Sequence, residues 1–398
     1  MEADREAGNS GRDRRRNLVA VISSLTVTSL IYGLSYPLLA LVLKQQGVDE
    51  TIIGLNTGVQ GLAIFAVAPF APRLISRQTP ARLMLVSVVL SLILFLLLPT
   101  FPNVYAWFPI RFLLGCANAF LWIAGEAWIS EIAAEKTRGR VIGLYSSALA
   151  AGFALGPIVL AETGTRGWLP FIVSAAIIAA SAVPLLLAKP VASKVTEPAS
   201  IRLFAFVLLA PVAMLANFVT AAADSALITF LPIYGISLGL AENVALYMIT
   251  VMGIGGIACQ IPIGWIADHI DRHLLLVLCV VVLIATCAVL PVLFTATPWN
   301  WVAMFVMGGA LGGLYTIGLV LVGEQFDGVS LAGAVTVFSS MWGIGGIVGS
   351  PFVGGIMEIA PKHGLIIAVG AIFLAYLPFP LLAFLRGRSA VHGDTTRR

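Results

Sequence analysis

Charge is scarce in this sequence. Only 11% of its 398 residues are Asp, Glu, Lys or Arg, whereas 59% are hydrophobic and the mean hydropathy is +1.00. Soluble globular domains carry about 25% charged residues, so this composition excludes a soluble protein and predicts a polytopic membrane protein. The net charge of +4 is dispersed in short clusters between apolar segments, so we expect no nucleic-acid partner.

Cysteine and catalytic motifs are also missing or sparse. The four cysteines lie inside apolar segments at spacings that match neither a disulfide framework nor a metal site: Cys116, Cys259, Cys279 and Cys287. We interpret them as small packing residues and expect no metal and no other cofactor. HExxH, a Walker loop and Cys-x-x-Cys are all absent from the sequence. A zinc metalloprotease and an ATP-driven transporter therefore lack their machinery, and we expect no enzyme.

Twelve apolar segments are each long enough to cross about 30 Å of hydrocarbon as a helix. We predict spans 1 to 12 at 18–43, 52–74, 81–99, 104–129, 140–162, 167–188, 202–237, 243–267, 274–296, 299–323, 331–357 and 364–385. The first 17 residues are polar and lack the apolar core and cleavage site of a signal peptide. We therefore expect the first span to remain uncleaved.

The chain divides nearly in half at a linker that contains Pro and Ser. We predict cytoplasmic tails at 1–17 and 387–398, six-helix bundles at 18–188 and 202–386, and a cytoplasmic linker at 189–201. Motifs recur at equivalent spans of the two halves. Glu126 ends span 4 within G-E-A-W, and Glu324 ends span 10 within G-E-Q-F. Such internal repetition is the sequence sign of a duplicated transporter fold.

Positive residues are distributed unevenly between the two sides of the predicted membrane. The side that holds both termini carries 19 of the 23 lysines and arginines. The opposite side holds Lys44, Arg166 and Lys362, and Arg111 lies inside span 4. Because positive loops favour the cytoplasm, we expect both termini to be cytoplasmic, in the inner (plasma) membrane of a bacterium.

Arg111 lies near the start of span 4, with no acid within ten residues on either side. A charge in hydrocarbon costs from about 2.5 kcal/mol upward, so such an arginine usually faces a watery cavity or a partner and has a function. The alternative is an arginine that snorkels to the interface from a helix end.

The loop after span 8 reads Gly264-W-I-A-Asp268-H-I-D-Arg272-His273. This pattern resembles the signature loop of the major facilitator superfamily, whose fold is all-α, with twelve transmembrane helices in two pseudo-symmetric six-helix bundles. In such a loop the glycine lets helices approach, the Asp binds a helix N-terminus or an arginine, and the basic residues anchor at headgroups. The alternative is a solvated turn.

The equivalent loop after span 2 keeps the basic residues but has no acid, which weakens the expectation of a gate there. Those basic residues are Arg73, Arg77 and Arg82.

Two further motifs resemble those of the same superfamily. Arg111-x-x-x-Gly115 resembles its span-4 arginine motif, which implies proton coupling. Gly152-F-A-L-Gly156-Pro157 in span 5 resembles its Gly-Pro antiporter motif, in which glycines permit close packing and Pro lets the helix bend. It returns in span 11 as Gly345-x-x-x-Gly349. The alternative for these glycines is helix packing with no bearing on transport direction.

The resemblance covers residues from about 18 to 386. Within the superfamily, E-A-W-I, R-G-R-V-I-G-L-Y and Y-T-I-G-L-V-L-V-G-E-Q-F resemble the YcaD-like group, and the arginine and glycine motifs resemble drug:proton antiporters.

A second deep charge is Asp224. Counting from Arg202 predicts a position in the outer half of the membrane or at its outer edge, and a less distant one if the helix starts after Arg202. A buried carboxylate can be poised to take and release a proton, so we interpret Asp224 as a coupling or substrate-binding acid. The alternative is an N-terminal cap for a broken outer half-helix. For Glu126 and Glu324 we favour a structural, gate-closing role, with the following loop or basic residues such as Arg138 as partners.

In the superfamily, spans 1, 4, 7 and 10 line the central cavity. The resemblance therefore implies a cavity lined by polar and aromatic residues of these spans: Tyr32, Tyr36, Asn118, Trp122, Asn217, Thr220 and Tyr315. The alternative for each is interhelical hydrogen bonding and packing.

We expect a monomeric secondary transporter that exports a small amphipathic or hydrophobic molecule by proton antiport. Uptake by symport and a transporter-like sensor are the alternatives.

Overall fold

The structure is a computed structural model that describes residues 2–68, 70, 74, 77–101, 103–133, 137–188 and 203–395. Every regular element within these ranges is helical. The predicted linker at 189–201 lies outside the described residues, as do Arg73 and Lys136.

Twelve helices of the described residues are labelled α1 to α12 here. They are α1 Glu2–Gln45, α2 Glu50–Val67, α3 Pro80–Leu97, α4 Val104–Ile132, α5 Arg138–Thr163, α6 Leu169–Leu187, α7 Pro211–Ser237, α8 Glu242–Ala267, α9 Arg272–Leu293, α10 Trp299–Gln325, α11 Gly328–Ile359 and α12 Gly364–Tyr376. A 3₁₀ turn (Leu98–Thr100) follows α3, and helices Leu203–Leu209 and Pro378–Thr395 flank α7 and α12.

The predicted number of membrane spans is confirmed. Within the described ranges, 12 helical stretches are long and apolar enough to cross a membrane. The last of them, Gly364–Arg386, joins α12 to the helix that follows it. The chain is thus an all-α, multi-pass integral membrane protein.

The prediction was wrong about the start of span 7, which was placed at 202. Helix Leu203–Leu209 ends before Ala210, and α7 begins at Pro211. Proline has no backbone N–H and is tolerated in the first turn of a helix, so it begins a new helix here instead of continuing the first. The apolar run continues without interruption across the break, so Pro211 is its only local sign in the sequence.

The chain forms two compact units. The first comprises Met1–Gln45 and Val59–Ala199, and the second comprises Gln46–Gly58 and Ser200–Arg398. Helix α2 is divided between them, with residues 50–58 in the second unit and residues 59–67 in the first.

In the first unit, α5 packs against α1 through the two glycines of the predicted Gly-Pro motif. A Cβ on Gly152 would clash with the carbonyl oxygen of Thr26, and one on Gly156 would lie 2.5 Å from that of Leu30. Real Cβ atoms do not approach so closely, so only glycine permits this helix separation. Helix α5 continues through Pro157 to Thr163.

In the second unit, α11 packs against α7 in the same way. A Cβ on Gly345 would clash with the carbonyl oxygen of Phe218, and one on Gly349 with that of Ala222. The motif repeated in the sequence is thus also repeated in packing: in each unit, a pair of glycines four residues apart contacts the backbone of a partner helix.

Candidate functional site

Arg111 lies in the first unit, in the first half of α4, and only 1% of it is exposed. Its Nη2 donates a hydrogen bond to Oε1 of Gln60 on α2, at 2.9 Å. Its Cζ lies 5.6 Å from the centroid of the Tyr36 ring on α1, within the range of a cation–π contact. The guanidinium is therefore enclosed by protein, which rules out the snorkelling alternative; of the two expected surroundings, a watery cavity or a partner, it has a partner.

Gly115, the second residue of the arginine motif, also contacts Gln60. A Cβ on Gly115 would lie 2.6 Å from the Gln60 carbonyl oxygen and 2.7 Å from the Ala63 Cβ. Because residues four apart lie on one face of a helix, Arg111 and Gly115 both face α2. With this spacing, Arg111 binds the side chain of Gln60 and Gly115 contacts its backbone.

Three aromatic side chains form a cluster beside Arg111. The rings of Tyr32 and Tyr36 stack with centroids 5.9 Å apart, and Trp122 on α4 meets Tyr32 edge-on at 6.3 Å. All three are partly exposed. The structure therefore brings together four of the predicted cavity residues, with the arginine behind the aromatic rings.

Asn118 extends this cluster into the interior of the first unit. Its Oδ1 accepts a hydrogen bond from Ser91 Oγ on α3 at 3.1 Å. Beside Asn118 lies a small cavity, which also carries hydroxyl groups from α1, α3 and α6: Thr28, Ser35, Ser91 and Ser181. A polar network of this kind holds its members in one arrangement when every member is satisfied.

Asp224 is the central residue of α7, midway between Pro211 and Ser237. Because the helix begins at Pro211 and not at Arg202, Asp224 lies nearer the middle of the span than counting from Arg202 indicates. The alternative role as a cap is wrong, since α7 runs unbroken through Asp224. Asp224 is partly exposed, and within the described part of its own unit no side chain forms a hydrogen bond or ion pair with it.

Asn217 and Thr220 of α7 are used in packing. Asn217 is fully buried, and its Nδ2 donates to the carbonyl oxygen of Phe338 on α11 at 2.6 Å. Thr220 is 3% exposed and donates to the Ala216 carbonyl of its own helix. The alternative of interhelical bonding and packing describes these two residues better than a cavity lining does.

Tyr315 on α10 is exposed and belongs to a second aromatic group. Its ring centroid lies 5.7 Å from that of Phe338 and 5.9 Å from that of Trp342, both on α11. Tyr315 and Trp342 are exposed, whereas Phe338 between them is buried. Among the described residues, the aromatic cluster of the first unit encloses an arginine and this group does not.

Arg272, the first residue of α9 after the loop from α8, forms an ion pair with Glu324 at the C-terminal end of α10. Asp271 accepts from the Leu274 backbone N–H and so caps α9. Asp268 is exposed, and its carboxylate forms no hydrogen bond or ion pair among the described residues; its backbone N–H donates to the Trp265 carbonyl at 3.3 Å. Among the residues that the structure describes, the Asp268 carboxylate thus has neither of the expected partners, and Glu324 is the acid that binds Arg272.

Gly264 of the same loop does not bring two helices together. A Cβ at this position would meet no described atom within 4 Å, so the expectation of close packing at Gly264 is wrong. The glycine contacts that do join α8 to α10 lie deeper in the helices, where Gly255 and Gly308 face the backbones of Phe305 and Met252.

Glu126, the counterpart of Glu324, has a different partner from the one expected. Its Oε1 accepts a hydrogen bond from the Tyr145 hydroxyl on α5 at 3.1 Å. Arg138 instead donates to the carbonyl oxygen of Ser130 at 3.3 Å. The two repeated acids thus join different helices, one through a neutral phenol and one through an arginine.

The family is decided by two overlapping matches to the sequence model of the Major Facilitator Superfamily, which cover residues 21–327 and 213–398. The chain belongs to the major facilitator superfamily. The fold and family expected from the sequence motifs are therefore confirmed.

Relatives within the superfamily are distant. The chain is 23% identical over 353 residues to the uncharacterized MFS-type transporter YfkF of Bacillus subtilis (strain 168), covering 86% of this chain and 88% of the relative. It is also 23% identical over 278 residues to the uncharacterized MFS-type transporter YcaD of Escherichia fergusonii, covering 69% and 71%. The predicted likeness to YcaD is thus confirmed at low identity.

Solved structures of the superfamily share the fold. A crystal structure of a mutant of the nucleoside transporter NupG has a TM-score of 0.77 at 16% identity, covering 93% of this chain and 99% of that chain. The D-xylose-proton symporter has a TM-score of 0.71 at 14% identity, covering 91% and 96%. At these identities the likeness shows the architecture alone.

Gln60 is the residue of this superfamily member's site that the sequence motifs did not predict. It lies in α2 among other polar residues, including Asn56 and Thr57, and no charge or spacing distinguishes it. Only the superfamily's arginine motif hints at it, because a buried arginine needs an acceptor on a neighbouring helix.

Two cysteines of the second unit pack against glycines of α10. The sulfurs of Cys259 and Cys279 would lie 2.7 Å and 3.0 Å from Cβ atoms built on Gly309 and Gly313. Both are free thiols. Among the described residues, no group of three or more His, Cys, Asp or Glu is placed to hold a metal ion.

Proposed function

We propose that this major facilitator protein is a proton-coupled secondary transporter that exports a small amphipathic or hydrophobic molecule by antiport. The observation that carries the proposal is the Arg111 site, in which partly exposed aromatic rings cover a buried guanidinium. A charge enclosed at this depth is costly, and its retention favours a function in ligand or proton handling.

Asp224 supplies the second element of the proposal. It is a carboxylate in the middle of a membrane-spanning helix, partly exposed, with no bonding partner within the described part of its own unit. Such a group is suited to take up a proton in one state and release it in another. We assign Asp224 to proton coupling and Arg111 to the binding of substrate or of charge that the proton displaces.

The proposed setting is the inner membrane of a bacterium, with both termini in the cytoplasm and the protein as a monomer without nucleic-acid partners. The distribution of positive residues supports this orientation, with 19 of 23 on the side of the termini. In this orientation the ion pair between Arg272 and Glu324 lies at the cytoplasmic surface, where we assign it to gate closure.

Uptake by symport is the second candidate, and one observation favours it. A protein of the same fold, with a TM-score of 0.71, is a D-xylose-proton symporter. Antiport and symport require the same parts, a proton site and a substrate site joined by alternating access, and differ in whether the two ligands compete or bind together.

The direction of proton movement tests the proposal. The purified protein is reconstituted into vesicles that enclose a pH-sensitive dye, with equal pH on both sides and the membrane potential clamped at zero. Compounds from a library of amphipathic and hydrophobic molecules are added outside. An antiporter exchanges the entering compound for lumenal protons, so the lumen becomes alkaline; a symporter makes the lumen acidic.

Protein-free vesicles and vesicles with the Arg111→Met variant control for compounds that carry protons across lipid themselves. Acidification that depends on the protein would replace antiport with symport. Protein-dependent compound uptake with no change of lumenal pH under any condition would overturn proton coupling altogether.

A further inference from the structure

Gln60 is the acceptor for the guanidinium of Arg111, and both residues are nearly excluded from solvent. Their exposed fractions are 3% and 1%, and the hydrogen bond between Nη2 and Oε1 measures 2.9 Å. A buried charged donor that loses its acceptor pays the full cost of desolvation, so this bond fixes where the guanidinium rests. The acceptor is a neutral amide, which leaves the positive charge of Arg111 uncompensated by Gln60.

The backbone of Gln60, like its side chain, contacts α4. Gly115 lies one turn after Arg111, and its Cα faces the Gln60 peptide so closely that a Cβ would lie 2.6 Å from the carbonyl oxygen. The contact fixes α2 against α4 at the residue that accepts from Arg111. A change in the packing of α2 on α4 would therefore move the acceptor away from the guanidinium.

Tyr32 and Tyr36 complete the enclosure from α1. The Tyr36 ring covers the guanidinium at 5.6 Å, and the Tyr32 ring stacks on that of Tyr36 with centroids 5.9 Å apart. Arg111 is thus held from two other helices at once, by an acceptor on α2 and an aromatic ring on α1. A ligand that binds the guanidinium must therefore replace Gln60 as its acceptor and displace the Tyr36 ring.

We propose that Gln60 is a positioning residue for Arg111. Its side-chain carbonyl holds the guanidinium beneath Tyr36, and breakage of this bond is the step that makes the guanidinium accessible. The inference rests on the proposed function only in assigning Arg111 to the transport cycle. The guanidinium only donates hydrogen bonds. A ligand of the released Arg111 must therefore carry an acceptor, either a carbonyl or an anionic oxygen, in the place of Gln60 Oε1.

Arginine labelling tests the positioning role without any knowledge of the substrate. The purified full-length protein is treated with phenylglyoxal, and modification of Arg111 over time is measured by peptide mass spectrometry, with exposed Arg82 as the internal standard. Gln60→Met keeps the length of the side chain but removes the acceptor. We expect modification of Arg111 to be about tenfold faster or more, since hydrogen bonds to charged groups contribute on that scale.

Two variants separate positioning from general loosening. Gln60→Glu keeps an acceptor and, as a carboxylate, adds an ion pair with the guanidinium, so labelling of Arg111 should stay at or below the wild-type rate. Thr57→Val removes a buried hydroxyl on the same helix, which donates to the Ile53 carbonyl of that helix at 3.0 Å, and should leave labelling unchanged. If Gln60→Met does not fold, Gln60→Asn, which withdraws the amide by one methylene, takes its place.

An unchanged rate for Arg111 in Gln60→Met, or an equal rise in Thr57→Val, would overturn the positioning role. The outcome is independent of the proposed antiport. If the labelling pattern holds while the vesicles show no proton-linked flux, the transport proposal fails and the positioning of Arg111 stands. If flux is proton-linked but the labelling rate of Arg111 is the same in Gln60→Met and wild type, the positioning role fails and the transport proposal stands.

Discussion

Gly58 on α2 lies directly against the backbone of Ile347 on α11, within the second unit. A Cβ on Gly58 would lie 2.6 Å from the Ile347 carbonyl oxygen. One turn earlier, Gly54 faces the carbonyl of Ser350 in the same way, and the Thr51 backbone N–H donates to the Glu358 carboxylate at 3.1 Å. The first half of α2 is therefore held on α11 by small residues and by a carboxylate at its N-terminus.

This contact predicts the effect of a single methyl group. Gly58→Ala should destabilise the protein by about 1–3 kcal/mol, because a carbonyl of the backbone cannot move away as a flexible side chain does. The control is Gly346→Ala on α11, where an added Cβ meets nothing within 4 Å. Thermal unfolding in detergent measures both variants. Equal melting temperatures for Gly58→Ala and Gly346→Ala would show that α2 and α11 can move apart without loss of stability.

The ion pair of the loop after α8 predicts a small, salt-dependent coupling. The side chains of Arg272 and Glu324 are 31% and 43% exposed, so a double-mutant cycle with Arg272→Met and Glu324→Gln should give about 0.2–1 kcal/mol. High salt should reduce this coupling energy. Asp268→Asn, which removes a charge with no partner among the described residues, should leave stability unchanged. A larger loss of stability in Asp268→Asn than in Glu324→Gln would show that Asp268, and not Glu324, is the acid that stabilises this end of the helices.

Burial of Arg111 predicts that its truncation affects folding as well as transport. Arg111→Met leaves the Gln60 carbonyl without its donor in a buried site, which costs about 1–3 kcal/mol. Arg111→Lys keeps the charge but not the planar guanidinium, so it should restore stability only in part. Unfolding midpoints and proton-linked flux of the three proteins provide the measurement. Full flux in Arg111→Met would remove the residue from the cycle.

The sequence predicted those features that depend on composition and local spacing. Twelve apolar runs and the paired glycines of α5 and α11 can be recognised in the sequence alone. Because charges are scarce, Arg111 and Asp224 also stand out in the apolar segments. The glycine motif needed no knowledge of its partner helix, because any close approach of backbones requires a residue without a Cβ.

Partners across helices could not be predicted in this way. Gln60 meets Arg111 from 51 residues away, and Glu324 at the end of α10 meets Arg272 at the start of α9. Which polar side chain meets which is decided by how the helices pack, and a sequence pattern describes only one helix at a time. The break before Pro211 did have a local signal in the proline itself, but the uninterrupted hydrophobicity outweighed it.

The last prediction concerns the pH dependence of substrate binding. If Asp224 carries the coupling proton and substrate competes with that proton, each ligand weakens the binding of the other by the same factor. Binding of a compound found in the vesicle screen should therefore strengthen as pH rises through the range in which Asp224 loses its proton. The change is at most about tenfold per pH unit, since one proton is exchanged.

Asp224→Asn should flatten this pH dependence while still permitting binding, because the amide imitates the protonated acid in shape and cannot lose a proton. The matched control is Ser225→Ala, the next residue on α7, whose hydroxyl donates to the Ala222 carbonyl of its own helix at 3.2 Å. This variant should keep the wild-type profile. Binding is measured by isothermal titration across the pH range. An unchanged profile in Asp224→Asn would place the proton on another group, and a symporter would show the opposite slope, with binding that weakens as pH rises.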